Sequence, residues 1–152
     1  MTQIVEKIKS ELEAFDQKKK ALVEQLRTEF PTMFKELFDQ FDKIDSIGWV
    51  QYTPYFNDGD ECIFGVHCES YYGLYVNGEC ADELDELSEE KYQNGQYVKN
   101  KNFNKEFFDQ VALFRNLLSS IPEDFMKDLF GDHAQITIHK DGLIEVEEYD
   151  HD

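Results

Sequence analysis

The hydrophobic period of this chain changes once, near residue 46, and that change restricts the folds open to it. Ahead of it, Val5, Ile8, Leu12, Phe15, Lys19, Leu22 and Leu26 recur at alternating spacings of three and four. This is a helical stripe of coiled-coil type over residues 2–29, and it predicts self-association as a homodimer. Lys19 interrupts the stripe, and a polar residue in such a seam fixes register at a cost in stability. Pro31 is expected to break or kink the helix. A second helix, residues 32–45, would carry Phe34, Leu37, Phe38, Phe41 and Ile44.

Beyond residue 46 the pattern becomes that of strands. Residues 47–56 are aromatic and β-branched, with Pro54 demoting the far end. Asn57-Asp58-Gly59-Asp60 reads as a turn, residues 61–68 as a second strand, residues 71–76 as a third, and Asn77-Gly78 as a further turn. Together they make an antiparallel meander. Leu84 and Leu87 suggest a short surface helix, followed by a loop to residue 100. Asn104 is placed to cap a helix ending near Ser119. Ser120-Ile121-Pro122-Glu123 resembles a capping box opening a short helix that stops at Gly131. A closing hairpin pairs residues 134–139 with 143–149, and the tail beyond is expected to fray. The fold class expected is α+β: a long or kinked N-terminal helix pair and two further helices on a small antiparallel sheet of meander and C-terminal hairpin. One domain, residues 1–152, is expected, with residues 1–45 helical and 46–152 the α+β core.

Charge sets the functional limits. The chain carries 15 basic and 33 acidic residues, net −18. The first 45 residues hold 8 basic and 10 acidic side chains, so almost all the negative field lies after them. Direct binding to nucleic acid or to an anionic membrane is disfavoured, because phosphates would be repelled. No apolar run is long enough to span a bilayer, and a secretory leader pattern is absent. Three cysteines make no disulfide framework, so a reducing cytoplasm is expected.

Catalytic and metal patterns are weak. Cys62 and Cys68 would share a strand face while His67 points away, and paired zinc-ligand spacing is missing. Asp58, Asp60 and Glu61 lack the twelve-residue rhythm of an EF-hand. His133 and His139 share a face only if the strand begins early. There is no phosphate-cradling loop, nucleophile elbow or HExxH helix. No metal, no cofactor and no enzymatic activity are expected. Two surface features remain. One is aromatic: Trp49, Tyr52, Tyr55, Tyr71, Tyr72 and Tyr75, of which half should face the core. The other is acidic: Asp82, Glu83, Asp85, Glu86, Glu89 and Glu90, with Glu145, Glu147, Glu148, Asp150 and Asp152. Carboxylates spaced like phosphates can occupy a basic, nucleic-acid-binding cleft.

Residues 47–66 (IGWVQYTPYFNDGDECIFGV), the YGLYVNGE segment at 72–79, and residues 130–152 (FGDHAQITIHKDGLIEVEEYDHD) resemble a family of small acidic proteins of tailed bacteriophages. About a third of the chain is touched, in the same order of elements. The resemblance implies a setting, the cytoplasm of an infected bacterium, and assigns no catalytic residues. It raises the expectation of a non-enzymatic protein that inhibits a host protein with a basic surface, a defence or nucleic-acid-binding enzyme. The alternatives are an oligomeric sponge for a nucleotide signal and a structural or assembly protein of the particle.

Overall fold

The computed structural model describes residues 2–56, 58–69 and 71–151. Asn57 of the expected turn and Asp152 of the acidic tail lie outside them. The chain forms one long helix, α1 (Thr2–Phe38), then strands β1 (Ser46–Tyr52), β2 (Gly65–His67), β3 (Leu74–Val76) and β4 (Glu79–Cys80). Two 3₁₀ turns follow, then β5 (Glu90–Gln93), β6 (Gln96–Lys99), α2 (Lys105–Ser120), α3 (Glu123–Phe130), β7 (Ala134–His139) and β8 (Ile144–Glu148).

The main sheet is antiparallel, ordered β4-β3-β1-β7-β8. β2 and β3 pair with successive halves of β1, at 50–52 and 47–49, while β7 pairs with 46–51. Central placement explains why β1 is buried along nearly its whole length. Ile47, Trp49, Leu74, Val76, Ile136 and Ile138 face the helices and are 0–1% exposed. Against them stand Phe30, Phe34, Phe38 and Phe41 of the first third, and Phe107, Val111, Phe114 and Leu118 of α2. The three helices cover one sheet face only.

Several expectations are corrected. Pro31 lies inside α1, which continues unbroken to Phe38 rather than restarting and running to residue 45. Proline costs one helical hydrogen bond. Phe30, Phe34 and Phe38, four residues apart and 0–2% exposed, offset that loss by burial on one face. The capping box is absent: Pro122 stands at the N-cap without a side-chain bond, and Ser120 Oγ donates to the Leu117 carbonyl instead. By contrast Asn104 does cap α2, accepting from the Phe107 N–H at 3.1 Å. The expected surface helix is a pair of 3₁₀ turns, Ala81–Glu83 and Asp85–Leu87, with Leu87 buried. The stretch read as loop is instead the β5–β6 hairpin, residues 90–99, turned by Asn94 and Gly95 at φ 51° and 80°. Asn77 and Gly78, at φ 54° and 83°, turn β3 into β4 as expected.

Gly73 shows why β2 and β3 can share one edge. A Cβ there would lie 2.1 Å from the His67 carbonyl oxygen, so only glycine lets the two segments pass.

Candidate interaction face

Alternation along the paired strands places Tyr52, His67, Tyr75, Gln135, Thr137, His139, Glu145 and Glu147 on the sheet face away from the helices. This face carries the feature that sequence reasoning missed, a stacked tyrosine–histidine cluster. Tyr52 lies between His67, at 4.3 Å between ring centroids, and His151, at 4.0 Å. Tyr55 stacks on His151 at 4.3 Å, with planes 4° apart, and on His133 at 5.0 Å. Tyr149 leans on Tyr52 at 5.6 Å. His133 Nδ1 and His151 Nε2 are 2.7 Å apart, so one ring donates an N–H and the other accepts it. The C-terminal residues 149–151 are therefore pinned to the sheet, and Tyr149 N–H also donates to the His133 carbonyl at 2.7 Å. The expected fraying is corrected by these contacts.

The aromatic group read from sequence is divided by the sheet. Trp49 is 0% exposed on the helix side, stacked edge-on against Phe130, and takes no part in the patch. Tyr71 packs at the edge of the core, with Arg115 over its ring at 5.2 Å. Tyr72 is 75% exposed. Tyr52, Tyr55 and Tyr75 belong to the open face, joined there by Tyr149.

Asp132 secures one end of the cluster. Its carboxylate accepts from Thr53 N–H at 2.8 Å, Thr53 Oγ1 at 2.6 Å and His133 N–H at 2.8 Å. Burial alone would push its carboxyl up; the Thr53 and His133 donors together outweigh burial and hold it below the usual aspartate range. His67 is lowered from the usual histidine value, chiefly by burial, with Glu123 opposing and His151 adding to the shift. Tyr75 is raised, first by burial, then by Tyr149, Cys80 and Glu83.

These directions give an acid-stability prediction. Below about 6.5 the unfolded chain takes a proton at His67 before the folded chain does, so folding stability falls with pH there. Asp132 contributes stability above 3.8 that is lost as pH drops through its lowered folded value. Urea midpoints between pH 7.5 and 5 should decline, and His67→Phe, which keeps a ring on Tyr52, should flatten that decline. Asp132→Ala should cost about 2 kcal/mol at pH 7, from hydrogen bonds to a charged group.

Acidic groups flank this face at both sides. Glu145 and Glu147 line β8, with Glu145 Oε1 3.4 Å from His139 Nε2. His139 thus lies at the opposite end of β7 from His133, so the two do not form one site. Glu148 alternates to the other side of β8, and Asp150 is exposed just beyond. At the other edge, the segment holding Asp82, Glu83, Asp85, Glu86, Glu89 and Glu90 is fixed by asparagines. Asn100 Nδ2 donates to the Asp85 and Ser88 carbonyls, both at 2.8 Å, and to Asp85 Oδ1 at 3.0 Å. Asn102 Nδ2 donates to Asp85 Oδ2 at 2.8 Å, which commits the Asp85 carboxylate internally. Asn104 N–H donates to the Glu86 carbonyl at 2.9 Å. Glu83, Glu86, Glu89 and Glu90 remain exposed on a fixed backbone.

Among the described residues, no group of three or more His, Cys, Asp and Glu side chains is arranged to hold a metal ion. Cys62 is half-buried and Cys68 buried, both as free thiols, and burial pushes the Cys68 thiol up to about 11. A thiol so raised is a poor nucleophile. No described helix is long and apolar enough to cross a membrane. One cleft of about 630 Å³ departs from the acidic pattern: Lys99, Lys101 and Lys105 line it with Phe103, Asn100 and Glu89.

The fold and this face define a class: an α+β protein with a one-sided helical cover and an acidic, aromatic open sheet. The chain matches no protein-family model, and no curated protein or solved structure proves similar to it.

Proposed function

We propose that the protein is a non-enzymatic binder that inhibits a host protein with a basic surface, a defence or nucleic-acid-binding enzyme, in a phage-infected bacterial cytoplasm. The observation that carries this reading is the open sheet face, where Tyr52, Tyr55 and Tyr149 form a ring-faced patch flanked by Glu83, Glu145 and Glu147. Tyrosine supplies rigid contact area at low entropic cost, and the carboxylates supply steering toward arginine and lysine. Arginine also stacks on tyrosine rings, and Tyr55 is 60% exposed, so one basic partner can use both features. Occupation of a nucleic-acid cleft by this face would make the protein a charge mimic. Self-association through residues 2–29 belongs to the same reading and would present two such faces.

Affinity capture from bacterial lysate at low and high salt tests it. A basic protein should be retained at low salt, released at high salt and displaced by DNA. Glu145→Gln/Glu147→Gln should weaken that complex about tenfold, mainly through the association rate. Retention that is indifferent to salt and to this pair of substitutions would exclude the reading.

The lysine cleft favours a second reading, a sponge for a nucleotide signal, since the ammonium groups of Lys99 and Lys101, with that of Lys105 shared with Asp109 at 3.0 Å, suit phosphates, and Phe103 suits a base. A nucleotide at a hundred times its dissociation constant would stabilise the fold by about 2.7 kcal/mol in a thermal-shift assay.

A further inference from the structure

The first half of α1 extends with its apolar stripe uncovered: Ile4, Val5, Ile8, Leu12, Phe15 and Leu22 are 43–67% exposed. Burial of α1 begins at Val23. We infer that this stripe is the seat of a second copy of the chain, packed antiparallel in a single register that pairs Leu12 with the partner's Phe15. The inference deepens the self-association proposed above by fixing its orientation.

The charges flanking the stripe decide the orientation. With Val5, Leu12 and Lys19 at a positions and Ile8, Phe15 and Leu22 at d positions, Lys9 and Asp16 take e, while Glu11 and Lys18 take g. A parallel pair would place Glu11 against the partner's Asp16, twice by symmetry, which is repulsive. In an antiparallel pair, e flanks e and g flanks g. Seating Leu12 on the partner's Phe15 then puts Val5 on the partner's Leu22 and Ile8 on the partner's Lys19. Lys9 meets the partner's Asp16, a carboxylate that Lys20 of its own helix also reaches at 3.1 Å, and Glu11 meets the partner's Lys18, each twice by symmetry. Sliding by one heptad in either direction brings like charges together at the centre: Glu11 on Glu11 and Lys9 on Lys9 one way, Lys18 on Lys18 and Asp16 on Asp16 the other. Only one antiparallel register is therefore complementary.

Lys19 fits this register for a reason internal to each chain. Its Nζ is 2.9 Å from Asp124 Oδ2 and 3.5 Å from Asp128 Oδ2, and those partners raise its pKa. The ammonium is held toward α3, which leaves the methylene stem for the partner's Ile8. The chain's own α3 thus neutralises the one charge that would otherwise disfavour the seam.

Sedimentation equilibrium of the full chain tests the inference. The wild type should sediment as a dimer. Glu11→Lys, at an exposed site away from the core, should raise the dissociation constant roughly tenfold, and Glu11→Lys/Lys18→Glu should restore it. A nitroxide at position 3 should report an intermolecular distance of about 30 Å, against under about 15 Å for parallel helices. A monomer at all concentrations would overturn both self-association and its orientation. A dimer strengthened by Glu11→Lys, or a short distance from position 3, would overturn the orientation and leave self-association standing.

Discussion

Phe114→Ala is expected to lower the free energy of unfolding by about 4 kcal/mol, among the largest effects of any single substitution in this chain. Phe114 is 0% exposed and joins the helices. Its ring lies 4.9 Å from Phe38, 5.8 Å from Phe41 and 6.2 Å from Phe34. Truncation removes the apolar transfer energy of a whole ring and leaves a cavity whose walls are other rings. Those rings are fixed by α1 on one side and by the sheet on the other, so collapse into the space is limited. Urea unfolding followed by tryptophan fluorescence measures the change, since Trp49 is buried in the same core. A loss under 2 kcal/mol would mean that the cluster repacks and that α1 is held elsewhere.

Gln51→Leu is the second, with about 3 kcal/mol expected although the substitution adds apolar surface at a position 0% exposed. The Gln51 amide donates to the Met126 carbonyl at 2.9 Å and to the Gly131 carbonyl at 2.7 Å. Its oxygen accepts from Trp49 Nε1–H at 3.1 Å. One side chain on the central strand therefore ties the sheet to the middle of α3 and to the glycine that ends it. Leucine fits the volume and satisfies none of the three groups, leaving the Trp49 N–H and the Gly131 carbonyl buried without their partner. Gln51→Glu should be at least as damaging at neutral pH, because a carboxylate cannot donate to either carbonyl. An unchanged urea midpoint for the leucine variant would show that the network contributes nothing net. Near-ultraviolet circular dichroism of Trp49 would report whether its indole loses a fixed orientation.

Much of the architecture was legible in the chain. The 3-4 spacing of Val5 to Leu26, the Asn104 cap and the Asn77-Gly78 turn each act through neighbours a few residues away. Such features depend on local physics alone. The β5–β6 hairpin was missed although Asn94-Gly95 carries the turn signal, because its strands are short, polar and exposed. Pro31 misled for the opposite reason: a local cost was offset by nonlocal burial of Phe30 and Phe34. At the open face, the tyrosines were visible as a group but not the side each takes. Period-2 alternation from Glu145 and Glu147 does continue to Tyr149 and His151, and that signal could have placed both on one side.

By itself, the sequence determined the α+β class, the apolar stripe of α1 with its flanking charges, and a net charge of −18 that disfavours ordinary nucleic-acid binding. These follow from composition and from periods read along the chain. The tertiary structure alone decided which face stays open and what stands on it. His67, His133 and His151 are separated by up to 84 positions, and they meet because β1 takes β2 on one edge and β7 on the other. Strand order is set by which apolar faces bury together, a global balance that local spacing does not encode.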